Sequence, residues 1–231
     1  MLHRGTVRRA AGGIYEVELD VGGVVDAVLR GRLKREQRTG DRVVVGDRVG
    51  VEQHADGSVT IETVDERRSE LARRAPGQGA RRAKVIVANV DQVVAVFAAA
   101  HPEPRLRMLD RFLVLAEAND LPALVVVNKI DLVGLDSARD RFADYEAAGY
   151  PVLYTSAGEG VGIAALRERL CDRISVLTGP SGVGKSSLLN AVEPGLQLRT
   201  AEVSEAVGKG RHTTVSAELI ALRCGGYVAD T

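Results

Sequence analysis

The sequence is poor in the residue types that mark secreted and membrane proteins. Only two of its 231 residues are cysteine, none is tryptophan, and aromatic residues make up 3%. No apolar run reaches the length that a membrane-spanning helix needs, and the opening stretch MLHRGTVRRAAGG lacks the apolar segment of a signal peptide. The composition therefore predicts a cytoplasmic protein that does not contact a membrane.

The two cysteines, Cys171 and Cys224, form no Cys-x-x-Cys pair. This favours reduced thiols in a cytoplasmic chain over a disulfide framework. The chain also shows no cysteine spacing that is typical of a zinc site. We therefore expect two free thiols and no zinc in these residues.

A net charge of zero conceals an uneven distribution along the chain. Residues 1–84 carry 17 Lys and Arg against 13 Asp and Glu, whereas residues 85–231 carry 14 against 18. The basic excess lies mainly in RRSELARRAPGQGARRAK, residues 67–84, where Pro and Gly predict a loop or linker. Such a stretch is either a solvated tether or an arm that contacts RNA phosphates, since clustered arginine releases counterions from nucleic acid.

Short apolar runs separated by turn signals predict an all-β domain at the N-terminus. Five strands are expected in GTVRRA, GIYEVELD, VVDAVLRG, DRVVVGDRVGVEQ and GSVTIETV. Five short strands favour a small closed barrel, and the OB-fold is the commonest such barrel. Tyr15 is the only aromatic residue in this part, so any RNA contact should be electrostatic rather than by base stacking. We predict the barrel over residues 1–68 and the basic linker over 69–84.

Strands and helices alternate from residue 85 onwards. The apolar run QVVAVFAAA (92–100) is typical of a strand buried on both faces. Further strands are expected in ALVVVN, PVLYTSA and ISVLTG, with the helices RLRMLDRFLVLAEAND, SARDRFADYEAAG and IAALRERL between them. This alternation predicts a parallel sheet with right-handed crossovers, an α/β domain over residues 85–231.

Residues 177–187, LTGPSGVGKSS, contain the phosphate-loop pattern G-x-x-x-x-G-K-[ST] between a predicted strand and the predicted helix KSSLLNAV. Backbone N–H groups of such a loop wrap the β-phosphate, Lys185 reaches the β- and γ-phosphates, and Ser186 binds Mg²⁺. A glycine-rich turn formed by chance is the alternative. The predicted phosphate-binding residues are Gly179, Ser181, Gly182, Val183, Gly184, Lys185, Ser186 and Ser187.

The stretch VVVNKID (125–131) matches the guanine-specificity motif Asn-Lys-x-Asp at a strand end. Asp131 can accept hydrogen bonds from N1–H and N2–H₂ of guanine but would stay unpaired beside adenine, a difference that discriminates strongly. Asn128 is expected to brace the loop and reach the edge of the base, and the stem of Lys129 to cover one face of the base. In TSA (155–157), a backbone N–H at Ser156 or Ala157 can reach guanine O6.

These motifs follow one another in an unusual order. A GTPase normally runs from the phosphate loop through two switch segments to the base motif and the Ser-Ala element. Here the base motif and the Ser-Ala element precede the phosphate loop, and only a short stretch follows it. The order predicts a circular permutation, which a domain tolerates when its termini lie close together at the surface.

With these motifs in this order, the chain resembles the circularly permuted, small-ribosomal-subunit-dependent GTPases of the RsgA (YjeQ) family. The resemblance spans nearly the whole chain and rests on GDRVGVE (46–52), NKID, TSA, GPSGVGKSSLLN and GKGRHTT. It implies a monomeric enzyme that hydrolyses GTP to GDP and phosphate. The implied partners are the small (30S) ribosomal subunit, whose late assembly it assists, and the rRNA of that subunit.

GRHTT (210–214) looks like switch I of this family. The resemblance implies that Thr214, rather than Thr213, binds Mg²⁺ and the γ-phosphate, so that the segment orders with GTP. His212 is the candidate for orienting the attacking water, and an exposed loop histidine is the alternative. The predicted catalytic residues are His212, Lys185 and Thr214.

Asp230 and Thr231 match the start of the family's Asp-x-Pro-Gly segment, whose Asp holds the Mg²⁺ shell. The predicted Mg²⁺ ligands are Ser186, Thr214 and Asp230. We expect a fragment that stops before this segment ends and before the family's C-terminal domain, to which zinc would be confined. Hydrolysis should be impaired if the chain is the entire protein. Two alternatives are an RNA-binding module with little turnover and a permuted GTPase of another ribosomal particle.

Overall fold

The five N-terminal strands alternate apolar and polar side chains, and they close into a barrel. The computed structural model describes residues 2–36, 42–74, 83–198 and 218–230. The barrel strands are β1 (Leu2–Ala11), β2 (Ile14–Leu19), β3 (Val24–Leu29), β4 (Arg48–Gln53) and β5 (Val59–Val64). They are ordered β1-β2-β3-β5-β4, with β1 antiparallel to both β2 and β4, and β3 parallel to β5. The predicted barrel is confirmed.

The barrel encloses a small apolar core. Its fully buried side chains come from all five strands and include Val7, Val17, Ala27, Val49 and Ile61. A short helix, α1 (Gly31–Glu36), follows β3 and was not predicted. Its sequence GRLKRE is charged and only six residues long, too short for a helical period to show.

Two further strands lie at the ends of the stretch that we predicted as a loop or linker. Strands β6 (Glu70–Arg74) and β7 (Ala83–Ala88) form an antiparallel pair, in which Leu71 stands opposite Val87. Both of these side chains are buried. The many arginines concealed this alternation of apolar residues. The chain divides into two compact units, with residues up to Val90 in the first and most residues from Asp91 in the second.

The chain also forms a six-stranded sheet with the order β10-β9-β8-β11-β13-β12. Its strands are β8 (Gln92–Ala98), β9 (Ala123–Asn128), β10 (Val152–Tyr154), β11 (Ile174–Thr178), β12 (Leu219–Ala221) and β13 (Tyr227–Asp230). Strand β8 runs parallel to both β9 and β11, and β9 runs parallel to β10. The predicted α/β sheet is therefore confirmed.

Helices cover both faces of this sheet because its central strands are apolar on both sides. All seven residues of β8 are buried; Val94, Val96 and Ala98 face one apolar cluster, and the residues between them face another. The first cluster includes side chains of α4 (Ile163–Leu170) and α5 (Lys185–Val192). The second includes side chains of α2 (Leu106–Glu117) and α3 (Leu135–Ala147). Among the described residues, no helix is long and apolar enough to cross a membrane.

The expectation of two free thiols is wrong for this structure. Cys171 and Cys224 form a disulfide, with their Cα atoms 5.3 Å apart. The two residues are separated by 53 positions, and no sequence spacing indicated their pairing. The fold brings them together because Cys171 follows α4 and Cys224 lies in the turn between β12 and β13.

Candidate nucleotide-binding site

A glycine-rich turn joins the central strand β11 to helix α5. At Gly179 the backbone has φ +145°, and a Cβ there would lie 2.1 Å from the carbonyl oxygen of Val96. At Gly184 φ is +95°, and a Cβ would lie 2.5 Å from Nδ2 of Asn128. Contacts this close leave no room for a side chain. The glycines of the phosphate-loop pattern are thus required by neighbouring strands as well as by backbone conformation.

The amino end of α5 lies directly after this turn. Lys185, the first residue of the helix, donates from Nζ to the carbonyl oxygens of Gly179 (2.9 Å) and Pro180 (3.2 Å). The helix is fixed to the sheet through the buried side chains of Leu188 and Leu189. Ser181 and Gly182 are exposed, Val183 is buried, and Ser186 and Ser187 are half-buried in the first helical turn.

Asn128, at the end of β9, connects three of the predicted motifs. Its side chain is 1% exposed, and Nδ2 donates to the carbonyl oxygen of Val183 at 2.9 Å. Its Oδ1 accepts from the backbone N–H of Ala157 at 3.2 Å and from the hydroxyl of Thr155 at 3.3 Å. One buried amide therefore holds the base motif, the phosphate loop and the Ser-Ala element in contact.

Lys129 lies beside the phosphate loop in a left-handed conformation, with φ 63°. Its Nζ donates to the carbonyl oxygen of Gly182 at 2.7 Å and also to that of His101. His101 was not predicted as part of this site, because its contact uses the backbone rather than the imidazole. Its position shortly after β8 was the one available signal, since parallel strands end at a common side of a sheet.

Asp131 and Ser156 are joined by a hydrogen bond across the base-recognition loops. The Ser156 hydroxyl donates to Oδ1 of Asp131 at 2.6 Å and accepts from the backbone N–H of Glu159 at 3.3 Å. Ser156 is fully buried, and its backbone N–H and C=O both pair with Val161. Asp131 is exposed, and Ala157 is half-buried. The carboxylate is thus oriented by a rigid neighbour while facing solvent.

The remaining predicted site residues lie outside the described residues or at their limit. His212, Thr213 and Thr214 lie outside them. Asp230 is the last residue of β13. Within the part of the chain that the structure describes, no group of three or more His, Cys, Asp or Glu side chains could hold a metal ion. The described residues fit a nucleotide through the glycine turn, the lysine ammonium and the helix amino end, and they offer Ser186 as one hydroxyl for Mg²⁺.

Comparison with known proteins agrees with this arrangement. A family model described as RsgA GTPase matches residues 64–231. A protein of Gemmatimonas aurantiaca is 53% identical over 229 residues, which cover 98% of this chain and 74% of that protein. A protein of Moorella thermoacetica is 45% identical over 231 residues, which cover 98% of this chain and 73% of that protein. Both bear the name small ribosomal subunit biogenesis GTPase RsgA.

Two solved structures share the fold over the whole chain. The crystal structure of YjeQ from Thermotoga maritima has a TM-score of 0.78 and 38% identity, covering 100% of this chain and 74% of that one. The crystal structure of YloQ, described as a circularly permuted GTPase, has a TM-score of 0.71 and 32% identity. The match covers 100% of this chain and 71% of the YloQ chain. The base motif before the phosphate loop, the sheet order and these matches lead to one conclusion: the chain belongs to the RsgA GTPase family of circularly permuted GTPases.

Proposed function

We propose that this GTPase acts in the assembly of the small ribosomal subunit, with its guanine nucleotide bound where β8, β9, β10 and β11 end. The observation that carries the nucleotide site is the buried amide of Asn128, which contacts the phosphate loop and the Ser-Ala element together. A ligand that spans both loops would therefore meet an arrangement that is already formed. Such preformed sites lose less conformational entropy on binding.

The base specificity follows from the chemistry of Asp131. Its carboxylate has an oriented oxygen bound by Ser156 and retains capacity to accept N1–H and N2–H₂ of guanine. Adenine offers neither donor, so ATP would cover a carboxylate without pairing it. The aliphatic stem of Lys129 is positioned by the Gly182 carbonyl to lie against the base face. The backbone N–H of Ala157, which donates to Oδ1 of Asn128 in this structure, would exchange that acceptor for guanine O6.

The phosphates belong at the amino end of α5. The ammonium of Lys185, which contacts carbonyls of its own loop, would exchange them for β- and γ-phosphate oxygens. Mg²⁺ would be held by Ser186, Thr214 and Asp230, and when bound it neutralises charge on the phosphate oxygens. His212 would orient the attacking water, and Thr214 would bind the γ-phosphate.

The ribosomal role is supported by the names of the relatives and by the charge of this chain. The two relatives described above are named for small ribosomal subunit biogenesis. Residues 67–84 carry seven basic residues and one acidic residue, a composition suited to rRNA phosphates. We therefore propose rRNA of the small subunit as the surface that this monomeric, cytoplasmic protein contacts.

The test measures nucleotide binding and turnover together. Fluorescent GDP and ADP are titrated against the purified chain, and GTP hydrolysis is followed alone, with small subunits and with large subunits. The proposal expects a strong preference for GDP and stimulation by small subunits only. Equal binding of ADP would contradict the base site. Guanine binding without any stimulated turnover would favour an RNA-binding module, and stimulation by large subunits would favour another ribosomal particle.

A further inference from the structure

The turn between β12 and β13 is fastened to the chain just before β11. The backbone N–H of Asp172 donates to the carbonyl oxygen of Gly225 at 3.1 Å, and the N–H of Tyr227 donates to that of Arg173 at 2.8 Å. A Cβ at Gly226 would lie 2.5 Å from both N and O of Arg173. The backbone of the turn at Gly226 therefore lies so close to the backbone of Arg173 that only glycine fits.

The same turn is also attached to the carboxyl end of α5. Glu193, which follows that helix, is 4% exposed. Its Oε2 accepts from the backbone N–H of Arg223 at 3.0 Å, and its Oε1 lies 3.2 Å from Nε of the same arginine. Because a buried carboxylate requires partners, this contact ties the turn to the helix that begins at the phosphate loop.

The Cys171–Cys224 disulfide adds a covalent attachment at this place. Both cysteines are half-buried, and Cys224 packs against the apolar cluster that includes Leu222. The other attachments are hydrogen bonds and an ion pair, which open and close with local motion. The disulfide is therefore the attachment that a chemical signal can make or break.

We propose that Cys171 and Cys224 form a thiol–disulfide exchange site whose redox state sets how tightly the turn, residues 222–226, is held against β11 and α5. Strand β13 leads from this turn to Asp230. The functional consequence rests on the role proposed above for Asp230, because a fixed turn limits how far β13 can shift between nucleotide states. The attachment itself depends only on the described contacts.

A dithiol reductant reduces the Cys171–Cys224 disulfide in two exchange steps. A thiolate of the reductant attacks one sulfur atom, the bond between the two cysteines breaks, and the expelled thiolate takes up a proton. The second thiolate of the reductant then attacks the mixed disulfide, which releases the other cysteine. Two electrons pass to the protein, and the reductant leaves as a disulfide. A low-molecular-weight disulfide, such as oxidised glutathione, reverses both steps.

The experiment compares the purified chain after treatment with oxidised glutathione and after reduction with dithiothreitol, without nucleotide. Thiols are counted after unfolding, and amide hydrogen exchange is measured for peptides covering residues 221–229. We expect no reactive thiol in the oxidised form, two in the reduced form, and exchange at least about tenfold faster after reduction. Peptides of β4 in the barrel serve as the internal control and should not change.

A double variant, Cys171→Ala with Cys224→Ala, should exchange like the reduced chain under both treatments. The oxidised chain should also melt about 5 to 15 °C higher than the reduced chain, which keeps the test informative if the variant folds poorly. Two reactive thiols after oxidation, or equal exchange in both forms, would overturn the proposal. The redox experiment contains no nucleotide, so its outcome does not depend on whether the chain binds GDP. A failure to bind GDP in the separate titration would contradict the proposed function but not the redox proposal.

Discussion

The Ser156 hydroxyl donates a 2.6 Å hydrogen bond to one carboxylate oxygen of Asp131, and the Ser156 side chain is itself fully buried. A flexible aspartate on the protein surface would lose rotamer freedom on binding a base. The bond to Ser156 removes much of that freedom beforehand. In the proposed site, guanine would therefore meet an acceptor whose direction is set before the nucleotide arrives.

Replacing Asp131 with asparagine should exchange guanine for xanthine as the preferred base. The amide keeps one acceptor for N1–H but presents a donor, which suits the 2-carbonyl of xanthine and repels the 2-amino group of guanine. We expect GDP affinity to fall by at least about 100-fold while affinity for xanthosine diphosphate rises. Titration with both nucleotides measures this. Asp136→Asn, in the first turn of α3, is the matched control and should bind GDP normally.

Truncating Asn128 to alanine should loosen the whole nucleotide site. The carbonyl of Val183 and the N–H of Ala157 would both lose a buried partner, at a cost of about 1–3 kcal/mol. We expect GDP affinity to fall about 10- to 100-fold, as seen by calorimetry. Asn119→Ala, at the end of α2, should leave affinity unchanged. Parent-like GDP binding by the Asn128 variant would show that the three loops do not need this amide.

Neutralising Arg73, Arg74, Arg81 and Arg82 should weaken binding to small subunits or to RNA and reduce its salt dependence. Each lost phosphate contact should lower the log–log salt slope by about 0.7–0.9. GDP affinity should hardly change. Replacing Arg107 and Arg111, exposed on α2, controls for a general loss of positive charge. If the four-residue variant keeps the slope of the parent, these four arginines do not contact RNA phosphates.

In a version of the protein that carries the complete Asp-x-Pro-Gly segment, replacing His212 with alanine should spare GTP binding and remove most of the turnover stimulated by small subunits. In the proposed site, GTP binding depends on the phosphate loop and the guanine contacts, and the imidazole of His212 belongs to neither. A variant that binds GTP normally but hydrolyses it slowly has therefore lost an interaction made in the transition state. Water orientation by the imidazole should be worth on the order of 100-fold in rate. Single-turnover hydrolysis with saturating small subunits measures it. His54→Ala, on the barrel, is the control, and equal rates in both variants would assign the water to another residue.

The stability of the barrel domain should depend on a buried ion pair between Asp47 and Arg67. Asp47 is 0% exposed and accepts from Nε (2.7 Å) and Nη2 (3.0 Å) of Arg67 and from the N–H of Val44 (2.8 Å). The hydrogen bonds with Asp47 raise the pKa of Arg67. Arginine is too basic to lose its proton without that partner, so neutralising Asp47 would leave a charged guanidinium beside a neutral side chain. Asp47→Asn should therefore cost about 3–5 kcal/mol in urea unfolding.

The more exposed pair between Arg4 and Asp65 offers the control for that measurement. Because solvent screens this pair, Asp65→Asn should change the free energy of unfolding by about 0–1 kcal/mol. A similar loss in both variants would mean that burial of Asp47 contributes little.

The bounds of an element could be predicted from the sequence where its apolar residues recur with a clear period or where a motif marks its boundary. Helices α4 and α5 were predicted with their observed bounds, because turn signals precede α4 and the phosphate-loop pattern precedes α5. Helix α1 was missed because a segment of six residues with Leu33 as its one apolar side chain shows no period. Strand β6 was missed because two of its five residues are arginine, and β7 was missed because it directly follows the glycine-containing stretch that predicts a loop.

Contacts made by the backbone or between distant residues could not be predicted. His101 enters the site through its carbonyl oxygen, which every residue type possesses. The pairing of Cys171 with Cys224 depends on the turn of β12 and β13 meeting the end of α4, a tertiary event without a local signal. By contrast, the meeting of Asn128 with the phosphate loop follows from the parallel strands β9 and β11, which flank β8 and end on the same side of the sheet.

The insertion of β11 between β8 and β13 has a consequence for how the chain leaves the ribosome that makes it. Strand β8 is synthesised before β11 and is apolar except for Gln92. It pairs with β9 on one side only until β11 appears. At roughly 5–20 residues per second, the nascent chain exposes that bare strand for several seconds. An unpaired apolar strand recruits other strands. This chain should therefore need chaperone protection during translation more than a GTPase whose phosphate-loop strand is made first.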